Sequence, residues 1–419
     1  MMKKRVVITG MGTINSLGHN VSDTWEKIRN GESGIQRISR FDPSDLNSQI
    51  AGEVRDFDGS SFYSDNFRRQ AKRLDEFTHF AMAAGREALG QSGLNIGADP
   101  FGTAVVIGSG IGGLPTQQKN GASLAARGMR GVSPLYIPAT IGNIAAGVVS
   151  MELGIQGPNM ATQTACATAN HAFAVAFMMI RQGYCHSALA GGTENSIVEI
   201  GVAGFSRMQA LSTAYNDEPQ RASRPYDRGR DGFVISEGAG VLVLEELEHA
   251  KARGAHIFAE LLSVGMSGDA YDIVVPHPEG IGALHSMEMA VKQAEIDAGD
   301  IQYINTHGTS TPLGDIAESK AVYNLLGGNE ENVTVGSTKG MHGHLLGATA
   351  ALEAIICINV INNGIIPPNI NIDDFDPEVA LKQETINTSA REKDVDIALS
   401  NSFGFGGHNS TIVLKKFTA

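Results

Sequence analysis

The stretch from Pro158 to Met179 limits what this chain can fold into more than any other part of the sequence. A run of small residues leads to Cys166, and the residues after it would form about four turns of helix with apolar side chains on nearly every face. A helix without a polar face belongs in the middle of a large protein. The sequence therefore predicts that Cys166 lies at the N-terminus of a buried central helix.

A cysteine in this position has two possible roles. Unpaired backbone N–H groups and the positive end of the helix dipole both favour the thiolate over the thiol. A thiolate is a competent nucleophile at neutral pH. The alternative is a small buried hydrophobic residue, which is how free cysteine usually behaves. The stretch alone leaves both interpretations open.

The composition excludes several other classes of protein. Apolar residues make up 42% of the 419 residues and charged residues 18%, which suits one large core or two domain-sized units. The net charge of −13 argues against general nucleic-acid binding. Three unevenly spaced cysteines without a CxxC pair indicate a reducing, cytoplasmic setting. The apolar run after the basic start Met1–Arg5 is too short for a signal peptide, and we expect no membrane span.

Both halves of the chain alternate strands with helices, the pattern of mostly parallel sheets covered by helices. We predict an N-terminal half over residues 1–254, which carries Cys166, and a C-terminal half over residues 255–419, which carries His307. In each half a central strand ends at a candidate reactive residue. We therefore expect an internal duplication.

Three further segments give predictions about local structure. The loop Gly108–Gly113 matches the GxGxxG fingerprint of dinucleotide sites. We reject that site because Leu114-Pro115 stands where a helix should start, and no acidic residue ends a second strand about twenty residues later. We expect instead a backbone that passes close to another part of the protein. We also predict a helix from Asn66 to Gln91 and a strand over Met160–Thr164.

Three segments place a polar residue, flanked by glycine or another small residue, at a strand end before a helix: Cys166, His307 and Lys339–His344. A cysteine can hold an acyl group as a thioester. Two neutral imidazoles can donate hydrogen bonds to one carbonyl oxygen and stabilise the enolate left by loss of CO₂. These residues together are suited to acyl transfer coupled to carbanion chemistry.

The motifs resemble those of the beta-ketoacyl-[acyl-carrier-protein] synthases, and among these the synthase II group. The matching segments follow one another through the whole chain: Thr164–Cys166, Ala222–Asp227, Arg230–Phe233, His307–Pro312, Thr338–His344 and Asn401–Gly407. The resemblance implies an α/β, thiolase-like fold, duplicated in five layers α-β-α-β-α, and a homodimer. It implies the decarboxylative condensation of acyl- and malonyl-[acyl-carrier-protein] to 3-oxoacyl-[acyl-carrier-protein] in fatty acid elongation.

The resemblance also implies roles for individual residues. Cys166 would be the nucleophile, His307 and His344 would promote malonyl decarboxylation, and Lys339 would act structurally or electrostatically. Phe405 would act as a gate and supply an oxyanion-hole amide, and Thr309 and Thr311 would bind the phosphopantetheine arm. Ile111 and Phe205 would line the acyl pocket. Glu318 and Asp315 would support the site, with Glu318 as the charge partner of Lys339.

The implied partner is the acidic acyl carrier protein, whose phosphopantetheine arm makes a resident cofactor unnecessary. The basic residues Arg68, Arg69, Lys72 and Arg73 form either a solvated helix face or the docking site. We expect docking, because a chain of net charge −13 needs a local basic patch to attract an acidic partner. Arg207 is a further candidate.

Three positions depart from the family pattern. His342 and His408 stand where threonine is common, so substrate choice or loop behaviour could differ. Gln209 replaces an arginine that many members use for carrier docking.

A metal site formed by His342, His344, His307 and His408 would lack an acidic or cysteine ligand at zinc-protease spacing, so we expect no metal. A ketosynthase of a polyketide or aryl-polyene pathway would share these motifs. A thiolase needs a second cysteine near the C-terminus, but Cys357 falls in an apolar helix, and a synthase III would have asparagine in place of His344. A non-catalytic chain-length subunit would lack Cys166.

Overall fold

The computed structural model of the protein describes residues 4–418, so residues 1–3 of the basic start and the last residue lie outside the described part. Its strands are β1 Val6–Asn15, β2 Gln36–Arg37, β3 Ile50–Ala51, β4 Thr103–Gly108, β5 Asn159–Met160, β6 Ser187–Glu194, β7 Gly238–Glu246, β8 Ala259–Gly268, β9 Tyr303–Asn305, β10 Thr334–Gly336, β11 Ile365–Ile366, β12 Arg391–Glu392, β13 Ile397–Gly404 and β14 His408–Lys415. Its helices are α1 Val21–Arg29, α2 Asp65–Ala71, α3 Glu76–Ser92, α4 Leu114–Arg127, α5 Tyr136–Thr140, α6 Ile144–Leu153, α7 Thr168–Gln182, α8 Glu199–Arg207, α9 Leu247–Ala252, α10 Ile281–Ala294, α11 Pro312–Leu325, α12 Lys339–His342 and α13 Thr349–Asn363.

Ten strands form one sheet in the order β10-β9-β13-β14-β8-β1-β7-β6-β4-β5. The two halves of the chain meet where Val6–Ile8 of β1 pair antiparallel with Ala259–Leu261 of β8. Outward from this junction the order repeats, as β1, β7, β6, β4, β5 on one side and β8, β14, β13, β9, β10 on the other. This repetition is the internal duplication expected from the sequence. The boundary at residue 254 lies between α9 and β8, and the division into two domains stays a prediction.

The strands separate three apolar cores. In β4, Val105 and Ile107 pack with α3 and α6, whereas Ala104 and Val106 face the central core around α7 and α13. This alternation is the two-residue period of a strand. On the far side, α10 and α11 cover β9, β10, β13 and β14. The layers therefore follow the order α-β-α-β-α, which confirms the predicted architecture.

The two central helices are built alike. Each has 15 residues and follows a 3₁₀ turn, Ala165–Ala167 before α7 and Leu346–Ala348 before α13. The first residue of each turn has a φ of +49°. Cys166 is thus at the start of a buried central helix, as predicted. The apolar segment 346–363 is long enough to cross a membrane, but 83% of it is buried inside the protein, as in the core helix of a globular domain.

Two predicted elements differ from the structure. The helix predicted from Asn66 to Gln91 is broken into α2 and α3, because Asp75 adopts an extended backbone and its carboxylate accepts a bond from the amide of Thr116. The strand predicted over Met160–Thr164 is limited to β5, which is an edge strand and not a central one. The chain then turns inward, because the amide of Thr164 donates to the hydroxyl of Thr168.

The glycine loop before α4 was interpreted partly wrongly. A helix does begin at Leu114, with proline in its first turn, where proline is well tolerated. The expected close approach is present: a side chain at Gly110 would place its Cβ 2.6 Å from Oε2 of Glu194 and 3.3 Å from the amide of Gly347. The loop therefore holds a carboxylate of its own chain.

The packing of β1 on α3 leads to a prediction. A Cβ at Gly12 would lie 2.1 Å from the carbonyl oxygen of Ala84. Gly12→Ala should therefore destabilise the protein by about 2 kcal/mol, because overpacked cores cost about 1–3 kcal/mol. Gly90 lies in α3, and a Cβ there would have no atom within 4 Å, so Gly90→Ala should stabilise the protein by up to about 1 kcal/mol. Urea unfolding midpoints would test both, and equal effects would contradict the packing argument.

Candidate active site

Cys166 and His344 form the centre of the site. Nε2 of His344 lies 2.9 Å from Sγ of Cys166, and its Nδ1 lies 2.9 Å from the hydroxyl of Thr349. Both the thiol and the imidazole are buried. A threonine hydroxyl can donate or accept a hydrogen bond. His344 can therefore take either neutral tautomer, accepting at Nε2 in one and donating there in the other.

His307 completes a group of three, as the motifs predicted. Its ring centroid lies 5.3 Å from that of His344 at an interplanar angle of 82°. One ligand-type atom each from Cys166, His307 and His344 all lie within 4.8 Å of one another. Burial, followed by the charge of Lys339, lowers the pKa of both imidazoles well below 6.5. Both rings are therefore neutral at physiological pH.

Lys339 lies in the same interior, but its partner was predicted wrongly. Its Nζ donates to Oε1 of Glu353 on α13 at 2.5 Å, and both side chains are buried. Glu318, the expected charge partner, instead accepts bonds from the amides of His307 and Gly308. Burial raises the pKa of Glu318 to about 7. Glu318 thus holds the backbone of the His307 loop.

Asp315 supports the adjacent loop in the same way. Its carboxylate accepts from the amides of Tyr226 and Ser310, each at 3.2 Å, and lies 3.4 Å from Nε of Arg230. Burial raises its pKa to about 6. The next loop residues, Thr309 and Thr311, have their hydroxyls 3.0 Å apart.

These loops surround one cavity of about 370 Å³. The predicted site residues that line it are Cys166, His307, Thr309, Thr311, Asp315, Glu318, His344 and Phe405. A Cβ at Gly404 would lie 3.0 Å from the amide nitrogen of Cys166, so the Phe405 loop reaches the backbone of Cys166. This placement is compatible with the predicted gate and oxyanion hole, which stay predictions.

An apolar wall adjoins this cavity. The rings of Phe205 and Phe405 are 6.4 Å apart, and Phe205 also contacts Phe233 with centroids at 5.4 Å. Ile111 and Phe205 pack against the apolar cluster that contains Cys166. Both predicted pocket residues therefore pack against the apolar cluster to which Cys166 belongs.

Two buried acids were missed from the sequence. Glu194 accepts bonds from Ser109, Ile111, Gly110 and Gly347, which ties the pocket wall to the start of α13. Burial raises its pKa to about 7. The other is Glu353, the only charged residue in the apolar helix α13. That isolated charge was the available signal.

The remaining predicted residues lie outside this group. Arg68, Arg69, Lys72 and Arg73 are exposed on and just after α2, and Arg207 is exposed at the end of α8. Gln209 lines the cavity. His342 is buried with Nδ1 2.7 Å from the carbonyl of Gly343 and Nε2 2.9 Å from the hydroxyl of Thr338, whereas His408 is exposed.

Comparisons with known proteins agree with this geometry. Residues 3–250 match the family described as beta-ketoacyl synthase, N-terminal domain, and residues 258–373 match its C-terminal domain. The chain belongs to the beta-ketoacyl synthase family. The predicted resemblance is therefore confirmed.

Individual relatives are similar over their full length. The 3-oxoacyl-[acyl-carrier-protein] synthase 2 of Vibrio harveyi is 46% identical over 418 residues, covering 99% of both chains. The protein of the same name from Staphylococcus aureus strain COL is 45% identical over 419 residues, with the same coverage. A beta-ketoacyl synthase from Burkholderia phymatum, 32% identical, superimposes with a TM-score of 0.92, covering 99% of this chain and all of that one.

The ionisation of the cysteine in this beta-ketoacyl synthase is the opposite of what the helix terminus alone would favour. Burial raises the pKa of the Cys166 thiol to about 12, although the charge of Lys339 acts in the opposite direction. The helix terminus does not outweigh the loss of solvation. At rest, Cys166 is therefore a neutral thiol that donates to Nε2 of His344.

This difference can be measured by alkylation. Below its pKa a thiol gains about tenfold in thiolate for each pH unit, so labelling of Cys166 by iodoacetamide should keep accelerating from pH 7 to pH 10. Subtracting the rate for Cys166→Ala removes labelling at Cys185 and Cys357. A rate that levels off near pH 7 would instead show the thiolate expected from the helix dipole.

Proposed function

We propose that this beta-ketoacyl synthase condenses acyl-[acyl-carrier-protein] with malonyl-[acyl-carrier-protein] in fatty acid elongation. The observation that carries the proposal is the convergence of one sulfur and two neutral imidazoles on a single cavity. Relatives 44–46% identical over 99% of the chain are named 3-oxoacyl-[acyl-carrier-protein] synthase 2. Among the solved structures, the ishigamide ketosynthase/chain length factor is 31% identical and a type II PKS ketosynthase is 28% identical, so a polyketide or polyene role is not favoured.

In the first half-reaction, Cys166 takes the acyl group. Its proton passes to Nε2 of His344 at 2.9 Å while the sulfur attacks the thioester carbonyl. The departing phosphopantetheine thiolate takes this proton from His344. The backbone amides of Cys166 and Phe405 would bind the oxyanion.

In the second half-reaction, malonyl thioester loses CO₂. The enolate oxygen accepts hydrogen bonds from His307 and His344, whose low pKa values keep them neutral donors. The carbanion then attacks the acyl thioester on Cys166, and the cysteine sulfur leaves as a thiolate that takes up a proton from solvent to restore the resting thiol. For His344 this step uses the tautomer with the proton on Nε2, which the Thr349 hydroxyl can support by donating to Nδ1.

The two half-reactions can be separated by substitution. Cys166→Ala should abolish acylation and condensation but retain malonyl decarboxylation, because the imidazoles remain. His307→Ala should retain acylation and slow decarboxylation about 10²-fold or more, since it removes one donor to the enolate. Radiolabelled acyl transfer and CO₂ release measure the two steps. Condensation that persists in Cys166→Ala would refute the assignment.

Carrier docking is proposed at the basic cluster on and after α2. Arg69, Lys72 and Arg73 are exposed and make no ion pair within residues 4–418, so they remain available to an acidic partner. Arg68 pairs with Asp65 at 3.0 Å and is a weaker candidate. One solved neighbour is a ketosynthase in complex with its acyl carrier protein, 28% identical with a TM-score of 0.90 over the full length of both chains.

Charge reversal tests the docking site. Lys72→Glu should raise KM for acyl-carrier protein about tenfold while kcat stays nearly constant, because exposed charges act mainly on association. Lys292→Glu, an equally exposed lysine on α10, is the matched control. A shift of the same size with the control, or with a carrier-free acyl-pantetheine substrate, would contradict docking at the cluster.

A homodimer is proposed on the surface beside β5. This strand is a terminal strand of the ten-stranded sheet, and both its residues are exposed. Nearby large apolar side chains are also exposed, among them Ile137, Ile141, Met151 and Met160. An open sheet edge surrounded by apolar side chains is typical of an interface between subunits.

The proposed setting is the cytoplasm, without a resident cofactor. All three cysteines are free and buried, which suits a reducing compartment. The proposed chemistry uses only a thiol, imidazoles and backbone amides, and the reactive arm arrives on the carrier protein. No redox or metal-assisted step is required.

A further inference from the structure

The three side chains of the proposed catalytic group, Cys166, His307 and His344, are all of types that bind metal ions. The metal site considered from the sequence does not form, because both ring nitrogens of His342 are hydrogen-bonded and His408 lies on the surface. Cys166 instead joins His307 and His344, with one donor atom of each within 4.8 Å of the others. Thiolate and neutral imidazole are the ligands that Zn²⁺ prefers.

From this geometry we infer that Cys166, His307 and His344 form a reversible inhibitory site for a thiophilic divalent cation, with Zn²⁺ as the best fit. Binding is independent of the proposed substrate and does not make the metal a cofactor. The cation would occupy the resting enzyme and exclude the acyl group.

The spacing suits tetrahedral coordination. With Zn–S near 2.3 Å and Zn–N near 2.0–2.1 Å, tetrahedral ligand atoms lie about 3.4–3.6 Å apart. The Sγ and Nε2 atoms, now at 2.9 Å, would separate by about half an ångström, and the longest separation, at most 4.8 Å, would shrink by about an ångström.

The ligands are also in the required state. Nδ1 of His307 has no hydrogen-bond partner within residues 4–418. The Thr349 hydroxyl already orients His344, as outer partners do in zinc sites. Binding replaces the S–H bond of Cys166 with an S–Zn bond and releases one proton to solvent.

The surroundings tolerate the extra charge. Lys339 opposes a cation, but its ammonium is bonded to Glu353. The cavity of about 370 Å³ leaves a fourth position open to water, as in zinc sites with three protein ligands.

The site can be tested with Zn²⁺ alone, before any substrate is added. One equivalent per chain should slow iodoacetamide labelling of Cys166 more than tenfold and release about one proton, and EDTA should reverse both effects. Co²⁺ in place of Zn²⁺ should give a thiolate-to-metal absorption band. Labelling that is unaffected by Zn²⁺ would overturn the proposal.

Variants and acylation locate the bound ion. His307→Ala and His344→Ala should each weaken Co²⁺ binding at least about tenfold, whereas Cys185→Ala, at another buried cysteine, should leave it unchanged. Enzyme first acylated by acyl-carrier protein should lose the band without any substitution, so the result does not depend on how a variant folds. A band that survives both acylation and Cys166→Ala would place the metal elsewhere and refute the site.

Discussion

The structure depends on how closely the two halves of the chain approach each other at the starts of α7 and α13. A Cβ at Gly347 would lie 2.4 Å from the amide nitrogen of Gly110, and one at Gly192 would lie 2.3 Å from the carbonyl oxygen of Gly347. Only backbone fits in this space. The carboxylate of Glu194 joins the same backbone segments by accepting from the amides of Gly110 and Gly347. The sulfur and the imidazoles therefore meet because glycines let their loops touch.

Burial of charge is the second determinant of the site. Glu194, Glu318 and Glu353 have pKa values raised to about 7 by loss of solvation, yet each accepts hydrogen bonds that favour the ionised form. Breaking one partner of a buried pair typically costs about 3–5 kcal/mol. The same desolvation keeps Cys166 protonated and both imidazoles neutral. The pocket thus holds its thiol and both imidazoles in their neutral forms.

The sequence predicted those features of the fold and the site that short local patterns determine. The apolar helix after Cys166 and the glycine-flanked segments at His307 and His344 are short signals, and the structure brings these three residues together. The partner of Lys339 could not be predicted from local patterns, because Glu318 and Glu353 both lie close to the site. Only the folded structure shows that Lys339 binds Glu353, whereas Glu318 binds a backbone amide. The break before α3 has a similar cause, since it depends on a contact between Asp75 and Thr116.

The duplicated helix starts have a further consequence. Gly347 is the middle residue of the 3₁₀ turn before α13, and Cys166 is the middle residue of the corresponding turn before α7. Two identical halves would present the same residue at both positions, but any side chain at 347 would collide with the backbone of Gly110. The fold therefore breaks its own symmetry, and each chain has space for a reactive sulfur on one side only.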